Sequence, residues 1–290
     1  MAQKMDWFSH QTREDKAIQE HRGKMGVILF RKKAERRGLC SGSIVNVEGS
    51  NLFPKSVNKI KLCLLTSDIH FPEGNIGVED YFFEYWSSDL AVKQLSLGDV
   101  AQSNGVYRPT PGLALIPVCL TTAERLRTFV KSSVLDKRRT FPTRYHYEDV
   151  ESENRNKEKL CFIMGSYEFK KGSLTMERFT LITKRDDQGK LRNELQDVNG
   201  STFQSYDQIR NAWAHLYPRG AVILEDDGPQ ATCVGILNFS EEGLISPVYF
   251  TTETLTGCLR NSCPILTFWF QTRVFRLYIR KPTSRVDAIF

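Results

Sequence analysis

The residues of this sequence that can do chemistry are a few histidines, acids, hydroxyls and thiols near strand-like runs. Nucleophilic hydrolysis needs a hydroxyl or thiol, a histidine base within hydrogen-bond reach of it, and an acid that fixes the tautomer of the base. His70 follows the run Leu64-Leu-Thr-Ser and is the one histidine placed to act as such a base. Asp89, Ser262 and Cys263 are an acid, a hydroxyl and a thiol that lie close to such runs.

The sequence gives little indication of a metal site or a cofactor site. The seven cysteines are an odd number, and most of them lie in apolar runs, which is typical of buried, reduced thiols. Cys258 and Cys263 lack the second cysteine pair or the spaced histidine pair of a zinc site. There is no Walker loop and no GxGxxG sequence, so we expect no metal and no cofactor.

The elements that must position these residues are mainly short strands. Runs rich in β-branched and aromatic residues alternate with turn sequences such as Glu48-Gly-Ser-Asn and Ser103-Asn-Gly. The capping box Thr121-Thr-Ala-Glu124 predicts one helix in the middle of the chain. The predicted strands are Val27–Phe30, Ser43–Val47, Lys61–Thr66, Tyr81–Trp86, Leu90–Leu97, Leu113–Val118, Leu160–Met164, Phe179–Lys184, Ala221–Leu224, Thr232–Phe239 and Ser246–Thr252.

This spacing predicts a mainly all-β fold of two consecutive antiparallel β-barrels, with an N-terminal helical arm and an interbarrel helix. The expected segments are an arm (1–25), a first barrel (26–120), a helix and polar connector (121–159), a second barrel (160–257) and a C-terminal extension (258–290). Within the extension, Phe268–Lys281 alternates aromatic and basic residues. We interpret it as an added strand, with an interaction strand or an aromatic-basic nucleic-acid surface as the functional alternatives.

Several short passages resemble, in order, those of trypsin-like (chymotrypsin-fold) serine proteases. Gly38-Leu-Cys-Ser-Gly-Ser-Ile-Val-Asn46 is similar to the strand Gly-Gly-Ser-Leu-Ile-Asn, and Leu64-Leu-Thr-Ser-Asp-Ile-His70 is similar to Leu-Val-Thr-Ala-Ala-His. Gly112-Leu-Ala-Leu-Ile resembles Asp-Ile-Ala-Leu-Leu, and Arg219-Gly-Ala-Val-Ile-Leu224 resembles the end of Gly-Asp-Ser-Gly-Gly-Pro-Leu-Val. Cys233-Val-Gly-Ile-Leu-Asn and Ile245-Ser-Pro-Val-Tyr resemble two later strands of the family, so the resemblance covers about residues 26–257.

The resemblance places the catalytic triad on residues that cannot perform its chemistry. The base position falls on Ile69, or on His70 if the turn contains one extra residue, and the acid position falls on Gly112. The nucleophile position falls on Pro218 or Arg219, and a proline there also removes a backbone N–H from the oxyanion hole. The resemblance therefore implies a degenerate homologue without catalytic residues, a pseudoprotease.

A displaced triad around His70 is the alternative, and it implies an active intracellular serine endopeptidase. Asp89 lies only 19 residues after His70, too few for the intervening hairpin, and Ser262 and Cys263 follow the strand expected to close the second barrel. We interpret His146 and His215 as structural.

The charge balance and the basic runs leave a third hypothesis open, which is nucleic-acid binding through basic loops. The 40 basic and 34 acidic residues give a formal net charge of +6, which permits an acidic partner without requiring one. Arg31-Lys-Lys-Ala-Glu-Arg-Arg37 and Lys137-Arg-Arg139 are basic, but no nucleic-acid-binding motif accompanies them. We expect a protein or peptide partner and a regulatory or interaction role.

The expected location is the cytoplasm or nucleus. The first ten residues lack the apolar region of a secretory signal, and the cysteine pattern is typical of a reducing compartment. The most apolar runs are far shorter than the roughly 20 residues that span a bilayer, so we expect no membrane association.

Overall fold

The computed structural model of the 290-residue chain describes two β-sheets that follow one another in the sequence. The residues that it describes are 21–32, 35–46, 62–71, 80–86, 91–97, 106–117, 141–143, 159–167, 173–226 and 231–250.

The first sheet has eight strands, and seven of them form one antiparallel path in the order β5-β4-β1-β2-β3-β7-β6. The eighth strand, β8, pairs in parallel with the end of β2. A 3-10 turn at Arg22–Lys24 precedes the sheet. The strands are β1 Met25–Lys32, β2 Glu35–Asn46, β3 Leu62–Thr66, β4 Tyr81–Trp86, β5 Val92–Ser96, β6 Tyr107–Thr110, β7 Leu113–Pro117 and β8 Phe141–Pro142.

The second sheet has seven antiparallel strands in the order β12-β11-β10-β9-β13-β14-β15. A short helix, α1, lies between β12 and β13 and begins after Ser205, whose side chain accepts a hydrogen bond from the Gln208 N–H. The elements are β9 Lys159–Ser166, β10 Leu174–Arg185, β11 Leu191–Gln196, β12 Thr202–Phe203, α1 Tyr206–Ala212, β13 Leu216–Asp226, β14 Ala231–Ile236 and β15 Val248–Tyr249.

The prediction of a mainly antiparallel β-protein is confirmed. The predicted strand at Tyr81–Trp86 is observed with the same bounds, and the other predicted strands each overlap an observed one. Strands β6, β8, β11 and β12 and helix α1 were not predicted. The predicted helix after Thr121, most of the predicted arm, the C-terminal extension and the candidates Asp89, His146, Ser262 and Cys263 lie outside the described residues.

Buried apolar side chains line both faces of the central strands. In β1, Ile28 faces a core inside the first sheet, whereas Val27 and Leu29 face a core shared with the second sheet. In β9, Cys161 and Ile163 face a core inside the second sheet, and Phe162 and Met164 face the shared one. The shared group, called here the inter-sheet core, removes apolar surface of both sheets from water, which is the main stabilising contribution in folding.

Polar contacts from β2 join the two sheets beside the inter-sheet core. The Ser41 hydroxyl donates to the Tyr217 carbonyl (2.6 Å) and accepts from the Met164 N–H (2.9 Å), so one buried side chain connects β2 with β13 and β9. The Tyr217 ring also covers Gly38, where a Cβ atom would lie 2.1 Å from the ring. These contacts hold the start of β13 against β2.

Candidate functional site

The site indicated by the resemblance begins at a bulge in β13. Tyr217 pairs with Met164 of β9 and Val222 pairs with Phe162, so residues 218–221 lie opposite one residue of the neighbouring strand. Pro218 has no N–H to donate to a ladder, and Gly220 has a φ of +76°, so both residue types favour an interrupted strand here. The bulge displaces Arg219 from the regular sheet.

The bulge packs against the end of β3. A Cβ atom on Gly220 would lie 2.4 Å from the Ser41 carbonyl oxygen, 2.8 Å from Thr66 Oγ1 and 2.9 Å from the Ser67 nitrogen. The Gly220 N–H donates to the Leu237 carbonyl at 2.8 Å, which ties the bulge to the chain after β14. Only a glycine fits at this position, and the packing brings Arg219 next to the turn that follows Thr66.

The Arg219 side chain is half-buried between two aromatic rings. Its guanidinium carbon lies 5.3 Å from the ring centroids of both Tyr206 and Phe239, within the range of cation–π attraction. Its Nη1 atom donates to Asn238 Oδ1 at 3.1 Å. Within the part of the chain that the structure describes, no carboxylate lies within ion-pair distance of Arg219.

Gly112, at the acid position, is held by polar groups on both sides. Its N–H donates to Asp68 Oδ2 at 3.0 Å, and its carbonyl accepts from Asn238 Nδ2 at 3.1 Å. Its φ is +90°, and a Cβ atom would lie 2.5 Å from that Nδ2 atom. Asn238 therefore occupies the space that a side chain at residue 112 would need, and it links the β6–β7 turn of the first sheet to Arg219 of the second.

Ile69 and His70 lie in the turn after β3, which a hydrogen bond from the Phe71 N–H to the Asp68 carbonyl closes (2.8 Å). The Ile69 side chain is 55% exposed. The His70 imidazole is hydrogen-bonded to the Leu39 carbonyl, and its own carbonyl accepts from the Tyr81 hydroxyl at 3.0 Å. His70 is thus engaged with backbone groups.

The electrostatic surroundings of His70 are those of a neutral histidine. Burial lowers its pKa most, and the positive charges of Arg219 and Arg37 lower the pKa further. A triad histidine, in contrast, becomes an imidazolium stabilised by a buried carboxylate. The structure brings Ile69, His70, Gly112 and Arg219 to one region, and the charges of two arginines there disfavour an imidazolium at His70.

Cys40, a described thiol beside this region, is also unsuited to nucleophilic attack. Cys40 Sγ lies 3.2 Å from Thr66 Oγ1, and burial raises the pKa of this thiol to about 12. Cys63, Cys161 and Cys233 are buried and free as well. A buried thiol with a raised pKa is protonated at neutral pH and inert.

His215 lies in a separate setting at the start of β13. Its ring stacks on the Tyr167 ring with a centroid distance of 4.5 Å, and its carbonyl accepts from the Ser166 N–H at 3.0 Å. Burial and the charge of Arg210 lower its pKa. These contacts support the interpretation of His215 as a structural residue.

Two residues of the site were missed by sequence reasoning. Asp68 stood inside the passage compared with the family but was given no role, and Asn238 stood at the end of another such passage. The one available signal was an asparagine directly after the apolar run Val234-Gly-Ile-Leu237, where a polar side chain can be buried at the end of a strand. Its two partners, Gly112 and Arg219, are distant in sequence, so only the structure reveals them.

A metal site and a membrane-spanning helix are both absent from the described residues. No group of three or more histidine, cysteine, aspartate or glutamate side chains among them is arranged to hold a metal ion. Likewise, none of the helices in the described ranges has the length and apolar character needed to cross a bilayer.

No protein-family model and no curated protein matches the chain. Among solved structures, it is similar to the thermostable serine protease AL20 from an extremophilic microorganism, with 12% identity, a TM-score of 0.40, and coverage of 82% of this chain and 96% of that one. It is also similar to the protease Anisep from Arthrobacter nicotinovorans, with 12% identity, a TM-score of 0.41, and coverage of 81% and 93%. A mutant of the tobacco etch virus protease gives 10% identity, a TM-score of 0.34, and coverage of 86% and 82%.

Proposed function

We propose that this chain is a catalytically inactive homologue of trypsin-like serine proteases that acts as a protein-interaction or regulatory module in the cytoplasm or nucleus. The observation that carries the proposal is Arg219. It stands where the resemblance puts the nucleophile, and its guanidinium is bound to Asn238 between the rings of Tyr206 and Phe239.

The other two triad positions support the same proposal. Ile69 has no proton to exchange, and its side chain is exposed to solvent. Gly112 has no side chain, and Asn238 Nδ2 fills the space in which a carboxylate would have to lie. Shifting the base to His70 does not restore the chemistry, because its imidazole meets the Leu39 carbonyl and two arginine charges instead of an acid.

An interaction module needs a rigid framework that holds its binding loops close together, and two features of the fold support such a role. The two sheets share one apolar core and hold the loops after β3, β6 and β14 at a single edge. Binding residues are often found on loops that a rigid scaffold positions in this way.

The test is covalent labelling of the purified full-length protein with a fluorophosphonate probe, and in parallel with a thiol-directed probe. We expect no fluorophosphonate labelling of protein that gives a folded circular dichroism spectrum, with an active trypsin-like protease as the positive control. His70→Ala, Ser262→Ala and Cys263→Ala serve as matched variants. Fluorophosphonate labelling that disappears in His70→Ala would show a working displaced triad and refute the proposal.

A reconstructed triad gives a second test of the same assignment. Ile69→His, Gly112→Asp and Arg219→Ser together restore the three residue types, but the new aspartate would collide with Asn238. We therefore expect no probe labelling of the triple variant while Asn238 is intact. Labelling of the triple variant with Asn238 intact would contradict the geometry described for Gly112.

A further inference from the structure

The cationic cluster formed by Arg37, His70 and Arg219 has no function in the proposal above. Arg37 lies opposite Phe30 in the β1–β2 ladder, the Phe30 ring lies 5.4 Å from the Tyr81 ring, and the Tyr81 hydroxyl reaches the His70 carbonyl. Arg219 approaches the same turn from the second sheet through the packing of Gly220 on the Ser67 nitrogen. These contacts bring the backbones of β2, the β3 turn and the β13 bulge together, and the charges of Arg37 and Arg219 both act on the His70 imidazole.

Among the residues that the structure describes, neither arginine of the cluster forms an ion pair. Within the same ranges, the one side-chain acceptor of Arg219 is the neutral amide of Asn238. The nearby Asp68 directs Oδ2 to the Gly112 N–H. The hydrogen-bond acceptors of the half-buried Arg219 guanidinium are neutral groups, whereas the planar donors of an arginine match a carboxylate or a phosphate best.

We propose that this cluster is a binding site for a carboxylate side chain of an acidic peptide segment, supplied by the interaction partner. The inference rests on the proposed function, since a working active site would use the same position for substrate hydrolysis. In the complex the carboxylate accepts hydrogen bonds from the guanidinium groups of Arg37 and Arg219. Burial lowers the pKa of His70 most, and the positive charges of Arg219 and Arg37 lower it further, which shows that both charges reach this turn.

The surroundings favour a peptide over a nucleic acid. The Ile69 side chain is 55% exposed beside the cluster and offers an apolar contact for a residue next to the bound acid. A nucleic acid is held by a row of phosphate contacts, whereas this cluster is compact and the Asp68 carboxylate stands next to it. One carboxylate flanked by apolar residues fits such a site better.

The test uses NMR titration of the full-length protein with the capped tripeptide amide Glu-Leu-Glu and its matched control Gln-Leu-Gln. The His70 ring signal is assigned with His70→Ala. We expect saturable shifts of that signal with the acidic peptide, little change with the neutral one, and a higher pKa of His70 in the complex, because a neighbouring carboxylate favours the imidazolium.

Three variants locate the binding site. Arg219→Gln and Arg37→Gln are each expected to weaken binding about tenfold, which corresponds to about 1.4 kcal/mol. Lys190→Gln, on the exposed β10–β11 turn, is expected to leave the affinity unchanged. Arg37 is exposed, so its variant remains informative if Arg219→Gln fails to fold.

Three results would overturn the inference: equal binding of the two peptides, unchanged affinity in both arginine variants, or displacement of the peptide by a 12-nucleotide oligothymidine that binds more tightly. Absence of peptide binding together with absence of probe labelling would refute the carboxylate site and leave the pseudoprotease proposal intact. Probe labelling that requires His70 would refute the proposed function itself.

Discussion

Replacing Ser41 by alanine removes the one hydroxyl that joins β2 to both β9 and β13. The Ser41 side chain is buried, donates to the Tyr217 carbonyl at 2.6 Å and accepts from the Met164 N–H at 2.9 Å. Alanine leaves a buried carbonyl and a buried N–H without that hydroxyl. Each such loss costs about 1–3 kcal/mol, so we expect Ser41→Ala to lower the free energy of unfolding by roughly 2–4 kcal/mol.

Ser43 offers a matched control on the same strand. It is also fully buried, but its hydroxyl has no hydrogen-bond partner, so Ser43→Ala removes a polar atom and leaves no partner unsatisfied. We expect Ser43→Ala to change the stability by less than about 0.5 kcal/mol or to increase it. Urea unfolding followed by tryptophan fluorescence measures both variants. Equal losses in the two would refute the assignment of the Ser41 hydroxyl as the polar link between the sheets.

Three further outcomes are expected. Gly220→Ala should destabilise the protein by roughly 3 kcal/mol or more in urea unfolding. Gly189 has a similar φ of +75° but open space around it, so Gly189→Ala should cost only about 1–2 kcal/mol. Similar costs for the two variants would contradict the close packing of the bulge. Burial lowers the pKa of His70 and of His215 below the ordinary histidine value of about 6.5. Just below that pH the unfolded chain therefore binds more protons than the folded chain, so the stability should fall as the pH drops through this value. We expect His70→Gln to flatten the decline, as measured by urea unfolding at successive pH values. Burial raises the pKa of Cys40 to about 12, so iodoacetamide at pH 8 should leave this thiol unmodified, by peptide mass mapping, until urea unfolds the chain.

Strands buried on both faces are among those that could be predicted from the sequence. Two examples are the nearly continuous apolar or aromatic runs Tyr81–Trp86 and Lys159–Ser166. One face of each strand packs in the core of its own sheet, and the other face packs in the inter-sheet core. Leu191–Gln196 was missed because four of its six residues are polar and Leu195 alone in this strand is buried. Tyr107–Thr110 contains Pro109, which is tolerated because β6 lies at the edge of its sheet.

Candidate positions for the site could be taken from the sequence, but their contacts could not. The order of the family-like passages indicated that Ile69, Gly112 and Arg219 belong together, and the structure brings their elements to one region. The role of Asn238 depends on two partners that lie 126 and 19 residues away, and no local pattern encodes such contacts. The strand at Leu216–Asp226 was predicted to begin only at Ala221, since Pro218 ordinarily ends a strand and here sits in a bulge.

The short segment 141–143 has a consequence for the chain as a whole. Its first two residues pair with β2 of the first sheet, and Thr143 forms a bridge with Cys233 of the second. The buried Phe141 ring joins the inter-sheet core, where it lies among side chains of both sheets. A single peptide bond cut between residues 143 and 159 would therefore leave two fragments that remain associated, because the first fragment carries its own anchor to the second sheet.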